Sequence, residues 1–282
     1  MTLEAETSEL TLADVLQPDW RVSPRVHAQV TTRNGGVSLP PFGRWQDGVE
    51  APGGLNLGRL AGDDPVCVAR NRARLMGLTG GAEAAWLEQV HGAEVVDARE
   101  VLARARAGEP LMRADASVTS QPGTICVVMV ADCMPVLLCD AAGRAVGAAH
   151  AGWRGLASGV VEKTAQRVAD LAGTHPASLQ AYLGPSIGPA AFEVGADVRD
   201  AFMNGADDSQ REATARAFVP RAEAPGKYFA DLPALARLRL QRLGVTEISG
   251  GDACTVTQRE RFYSYRRDRV TGRMAAMIWL TD

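Results

Sequence analysis

Three strand-length apolar runs follow one another between Ile125 and His150, and they constrain the fold more than any other part of the chain. Ile125–Ala131 reads ICVVMVA, Pro135–Cys139 reads PVLLC and Ala145–His150 reads AVGAAH. A strand with one wet face alternates apolar and polar residues, whereas an unbroken apolar run needs cover on both faces. Asp132-Cys133-Met134 breaks the first run from the second, and Ala141-Ala142-Gly143-Arg144 makes a hairpin turn before the third. The small residues of the third run imply that another backbone or a helix packs closely on it. Further strands are expected at Val26–Thr32, Ala84–Leu87, Ala93–Val96, Leu179–Leu183 and Arg273–Leu280.

Helices belong around these strands. Asp64 caps one that starts at Pro65, runs to about Met76 and stops at Gly77 or Gly80. In Leu156–Leu171, positions 157, 160, 161, 164, 168 and 171 share one helical face. In Leu232–Leu243, Leu232, Leu235, Ala236, Leu240 and Leu243 share another, which leaves Arg237, Arg239 and Arg242 solvated. Asn34-Gly35-Gly36 reads as a turn, and the Pro- and Gly-rich stretch 38–54 as a long loop. Strands and helices mix without a regular alternation. The expectation is therefore an α/β (α+β) layered mixed-sheet sandwich, one domain over 25–282 preceded by an arm at 1–24, mobile or capping over its first 20 residues.

Composition narrows the function. The 282 residues carry a net charge of −3, with Lys and Arg spread along the chain. No basic stripe with interleaved aromatics is present, which argues against nucleic acid as a partner. Met1–Leu16 is acidic and mixed in polarity, unlike a secretory signal, and no apolar stretch approaches the ~18 residues of a membrane helix. Five cysteines without a secretion signal point to reduced thiols and a cytoplasmic protein.

Chemistry concentrates in few residues. Of four histidines, His91 stands beside Gly92 at a strand end, and His150 closes the small-residue run before Ala151-Gly152-Trp153-Arg154-Gly155. Cys133 occupies the break between the first two runs. Two imidazoles and one thiolate form a three-ligand set for a catalytic zinc, with a fourth position left for water or substrate. The sequence separations of 42 and 17 residues specify nothing by themselves, so the fold must supply proximity. Each residue also has a bland reading, a hydrogen-bonded strand-end histidine or a buried thiol. That bland reading holds for Cys67, Cys126 and Cys139; His27 and His175 read as structural or solvated, and Cys254 stays ambiguous.

Longer motifs carry a resemblance. Asn56-Leu57-Gly58, Trp86–Gly92 (WLEQVHG), Ala114-Asp115-Ala116, Ala131–Leu138 (ADCMPVLL), His150–Gly155 (HAGWRG), Leu183–Gly188 (LGPSIG), Phe262–Arg267 (FYSYRR) and Thr271–Ala276 (TGRMAA) occur in this order. Together they are similar to the YfiH family over roughly 25–281, with 42–53 looking like an insertion or divergent loop. The resemblance implies the layered sandwich of the cytotoxic necrotizing factor catalytic domain, described as a cysteine-hydrolase fold. It also implies a zinc site on His91, Cys133 and His150. The activities implied are phosphorolysis of adenosine, inosine and methylthioadenosine, and adenosine deamination; family members also carry polyphenol oxidase (laccase) and peptidoglycan-editing labels.

These readings differ in what they require. A multicopper site needs a His2Cys centre and a further histidine cluster, which four histidines cannot furnish, and a lone electron-transfer copper is disfavoured because Met134, beside Cys133, points to the opposite face. Phosphorolysis needs cationic groups for phosphate. Arg154 is the first choice, followed by Arg33 and Arg266. Asp132 could move protons in deamination or orient a ligand. In the alternative, Cys133 is the nucleophile of an amidase acting on a cell-wall precursor, with His150 or His91 as its base. A third reading is a small-molecule-binding scaffold with a structural metal. The oligomeric state is not encoded in any of these motifs.

Overall fold

The three apolar runs form adjoining strands at the middle of two stacked sheets in the computed structural model, which describes residues 10–282. One sheet has five strands in the order Val15–Leu16, Val26–Thr31, Met274–Leu280, Thr124–Val130, Glu83–Ala85. The other has six, in the order Glu247–Gly250, Leu179–Leu183, Met134–Asp140, Val146–Ala151, Ala116–Thr119, Val95–Asp97. Both sheets mix parallel and antiparallel pairs.

Side-chain alternation explains the unbroken apolar runs. Within Met134–Asp140, Leu137 and Cys139 enter the layer between the sheets, while Val136 and Leu138 enter a core shared with the helices behind. Thr124–Val130 does the same on the other sheet: Cys126 and Val128 face inward, Ile125 and Val127 face the helix Pro65–Gly77. Both faces of each strand are covered along nearly their whole length, so the runs between Thr124 and Asp140 at their ends are apolar. The small residues of Val146–Ala151 make room for the helix Val160–Ala172, since a Cβ on Gly147 would lie 2.8 Å from Val168 Cγ2.

The structure departs from the expected elements at identifiable signals. Gly159 (φ 85°) divides the expected helix into Trp153–Ala157 and Val160–Ala172. Asn34–Ser38 is a strand, and the expected long loop contains the hairpin Arg44–Gln46/Val49–Ala51, turned at Asp47 (φ 52°) and Gly48 (φ 82°). Arg237, Arg239 and Arg242 are engaged instead of solvated: Arg237 donates to the carbonyls of Ile248 and Gly250, Arg239 pairs with Glu162, and Arg242 with Asp207. Along the expected arm, Val15 pairs with Thr31, and Leu16, Trp20 and Val22 pack on the layer between the sheets. The remainder of that arm, residues 1–9, lies outside the described residues. No helix among the described residues is long and apolar enough to cross a membrane.

Candidate metal centre and its pocket

At one end of the layer between the sheets, strand alternation hands over from hydrocarbon to chemistry. His150 has the parity of the inward-facing Val146 and Ala148, and Cys133 that of Leu137 and Cys139; the two strands pair Pro135 with His150. His91 comes from the connection between Glu83–Ala85 and Val95–Asp97, at φ 59°. The ligand atoms of His91, Cys133 and His150 lie within 4.8 Å of one another, and the two imidazoles meet edge to face with centroids 4.8 Å apart.

Asp115 organises this triad. Its fully buried carboxylate accepts the backbone N–H groups of Val90 (3.2 Å), His91 (2.9 Å) and Gly92 (2.7 Å), and so holds the left-handed turn that carries His91. It also meets His150 Nδ1 at 2.8 Å. As a carboxylate it accepts that proton, which leaves His150 Nε2 to face Cys133. Sequence reading assigned Asp115 no role. The available signal was an acid between two alanines at the start of a buried strand, where an unpaired charge is untenable.

The local electrostatics favour a thiolate. Burial pushes the Cys133 thiol up, but the charge on His150 and hydrogen bonds from His150 and His91 outweigh it and bring the thiol to about 6. Burial pushes His150 down, yet the Cys133 thiolate and then Asp115 raise it to about 9. Gly152 completes the cradle, because a Cβ there would stand 2.8 Å from Cys133 Sγ. Two imidazole nitrogens and a thiolate are a zinc donor set, with bonds of about 2.0–2.3 Å, and side-chain shifts of about 1 Å would close the triad on one ion. The residues fit the metal.

The triad forms part of the wall of a pocket of about 570 Å³. Asp132, Arg154 and Arg266 line it too. Asp132 (φ 92°) accepts the Thr255 hydroxyl and the Arg266 N–H, each at 2.6 Å, so its carboxylate is committed to holding the 264–268 segment. Arg154 stacks on Trp153 at 4.3 Å, and Arg266 donates to the Glu193 carbonyl. Arg33 is a correction. It is fully buried and away from this pocket, donating to the Gly43 and Arg259 carbonyls and to Glu50, where it pins the 44–51 hairpin. Arg59, Arg72 and Arg273 line the pocket and were not anticipated.

The family model described as "Multi-copper polyphenol oxidoreductase laccase" matches residues 27–281. Purine nucleoside phosphorylase YfiH of Escherichia coli is 47% identical over 272 residues, covering 95% of this chain and 100% of its own length. This chain belongs to the YfiH family. A second relative, a Pseudomonas aeruginosa protein also named purine nucleoside phosphorylase, is 46% identical over 267 residues, 95% of this chain and 98% of its own. The crystal structure of a Neisseria meningitidis protein superposes with a TM-score of 0.81 at 46% identity, covering 95% and 100% of the two chains. Geobacillus stearothermophilus YlmD superposes at 0.79 with 28% identity, covering 95% and 99%. Within this YfiH-family chain the histidines outside the triad serve elsewhere: His27 stacks on Trp279 at 5.4 Å, and His175 Nδ1 accepts the Ala177 N–H. The multi-copper part of the family description therefore finds no second histidine cluster here.

Proposed function

We propose that this chain is a purine nucleoside phosphorylase that holds zinc on His91, Cys133 and His150. The observation that carries the reading is the convergence of these three donors within 4.8 Å on the wall of a pocket lined by arginines and aromatic faces. Relatives that match over nearly the whole chain are named for that activity. The substrates are adenosine, inosine and methylthioadenosine. A phosphate oxygen bonds to the ribose carbon as the bond to the purine nitrogen breaks, and the purine leaves with a proton. Bound zinc would supply Lewis acidity at neutral pH.

The chain's own residues do the rest. Trp153, Phe192 and Tyr265 supply aromatic surface for the purine beside the guanidinium groups that stack on them. Arg154 and Arg266 bring positive charge against the departing base, in a cavity where such charge acts more strongly than in water. Asp132, by holding the Arg266 backbone, orients that arginine. Adenosine deamination belongs to the same pocket, and a cytoplasmic enzyme on small molecules is the reading that follows.

The Cys133–His150–Asp115 arrangement favours a second reading, a cysteine-type amidase of the cysteine-hydrolase kind that edits a peptidoglycan precursor, with Cys133 as nucleophile. One experiment separates the two: product analysis of purified protein with adenosine or inosine plus phosphate, with and without chelator. Ribose 1-phosphate and free base, together with inosine from adenosine, are expected only without chelator. Full activity after metal removal rejects zinc, and absence of every one of these products rejects the nucleoside assignment.

A further inference from the structure

Five arginines line the pocket, and none of Arg59, Arg72, Arg154, Arg266 and Arg273 forms an ion pair with a carboxylate among the described residues. Three of them converge on one loop. Arg72 donates its Nε to the Leu57 carbonyl at 2.9 Å and stacks on Trp86 at 3.8 Å. Arg273 packs its chain against Gly58, where a Cβ would lie 2.7 Å from its Cγ, and spends Nη1 on the carbonyls of Thr271 and Gly272. Arg59 follows Gly58 and has no hydrogen-bond or ion-pair partner among the described residues. Arg72 feels its charge: burial first, then repulsion from Arg59, lowers the Arg72 guanidinium to about 10.

Such a cluster is costly as it stands. Arg59 and Arg72 repel one another, burial desolvates Arg72 and Arg273, and the exposed Arg59 guanidinium has no hydrogen-bond acceptor among the described residues. A compact dianion relieves all three at once, because a guanidinium donates two parallel hydrogen bonds to a phosphate. Arg273 lines the same pocket as Asp132 and Cys133, so this wall and the candidate metal centre open on one cavity. Arg154 and Arg266 are anchored elsewhere, on Trp153 and on the Glu193 carbonyl.

We infer that Arg59, Arg72 and Arg273 form a phosphate subsite on the 57–61 wall of the pocket, distinct from the positions of Arg154 and Arg266. It takes a phosphate dianion, either free or as the ester of a nucleoside monophosphate. As a subsite for the co-substrate it deepens the phosphorylase reading and rests on it, but its test reads binding and needs no turnover. The test is calorimetric titration of the full chain with inorganic phosphate and, separately, adenosine 5′-monophosphate, for the parent protein and for Arg59→Gln, Arg273→Gln and Arg154→Gln.

Loss of a charged hydrogen bond at Arg59 should weaken the bound species by about tenfold or more. A loss confined to inorganic phosphate makes the subsite the co-substrate's; a loss confined to the monophosphate makes it the ester's. The assignment is overturned if neither ligand binds the parent protein. It is equally overturned if Arg59→Gln and Arg273→Gln, folded as judged by circular dichroism, bind within twofold of the parent, or if Arg154→Gln alone carries the loss. Phosphate binding without nucleoside cleavage would sink the phosphorylase reading and leave the subsite standing.

Discussion

The candidate metal centre and the arginine wall share one pocket yet are built in opposite ways. At the centre every group is spoken for: three backbone N–H groups and an imidazole converge on Asp115, and His150 and Cys133 hold one another. Cys133 and His150 sit at the ends of fully buried strands and Asp115 holds the turn that carries His91, so the protein fixes their positions before any ligand arrives. The wall is the reverse, with guanidinium groups drawn from a loop, a helix and a strand approach, and no carboxylate in an ion pair with them among the described residues. One region is complete within the chain; the other is completed by what binds.

That contrast breaks most sharply at Cys133. Cys133→Ala should abolish metal retention, measured by elemental analysis, and lower nucleoside turnover by at least about 10³-fold while the fold persists. Retained metal with near-parent turnover would show that the centre is not what the chemistry uses. Asp115→Asn comes next. It keeps the shape and removes the charge that four donors share, so metal affinity should fall by about 10–100-fold, read by competition with a chelating dye. If Asp115→Asn binds metal as tightly as the parent, the centre is less dependent on its scaffold than the hydrogen bonds imply.

Gly152→Ala tests the cradle with one methyl group. The added carbon must displace the Cys133 sulfur, and metal affinity should drop by about tenfold with little change in secondary structure. The smallest effect concerns pH and metal-free protein. His150 is raised, so its contribution to stability is full below its unfolded value near 6.5 and is lost as pH climbs through about 9. Cys133 is lowered, so its contribution is present above its unfolded value and is lost as pH falls through about 6. Apo-protein melting temperature should therefore peak between these limits and decline by a few degrees on either side. A flat profile across pH 5–10 would show that the two groups do not form the charged pair.

The legible parts of the sequence were those under strong burial. Thr124–Val130, Met134–Asp140 and Met274–Leu280 stand out because both faces are covered, and His91, Cys133 and His150 stand out at their ends or beside glycine. Less visible were short elements with thin apolar faces. The helix Ala98–Arg106 buries only Ala98, Val101 and Leu102 beneath an arginine-rich exterior, and the three-stranded sheet of 193–230 is built from strands of three or four residues. The Asp47-Gly48 pair is a readable hairpin turn inside the stretch whose Pro and Gly content reads as loop. Arginine was the hardest type to place, since Arg33 and Arg273 look alike in sequence. One locks a hairpin and the other opens on the pocket, and only tertiary packing separates them.

The crossing of the two sheets carries a last consequence. His91 and Cys133 both lie in connections that leave the five-stranded sheet and enter the six-stranded one, while His150 ends a strand of the latter. An ion gripped by all three acts as a rivet through the seam of the sandwich, closing chain loops of 42 and 17 residues. Loading it should thus tighten the whole molecule, and the two sheets should resist parting most at the edge where the pocket lies.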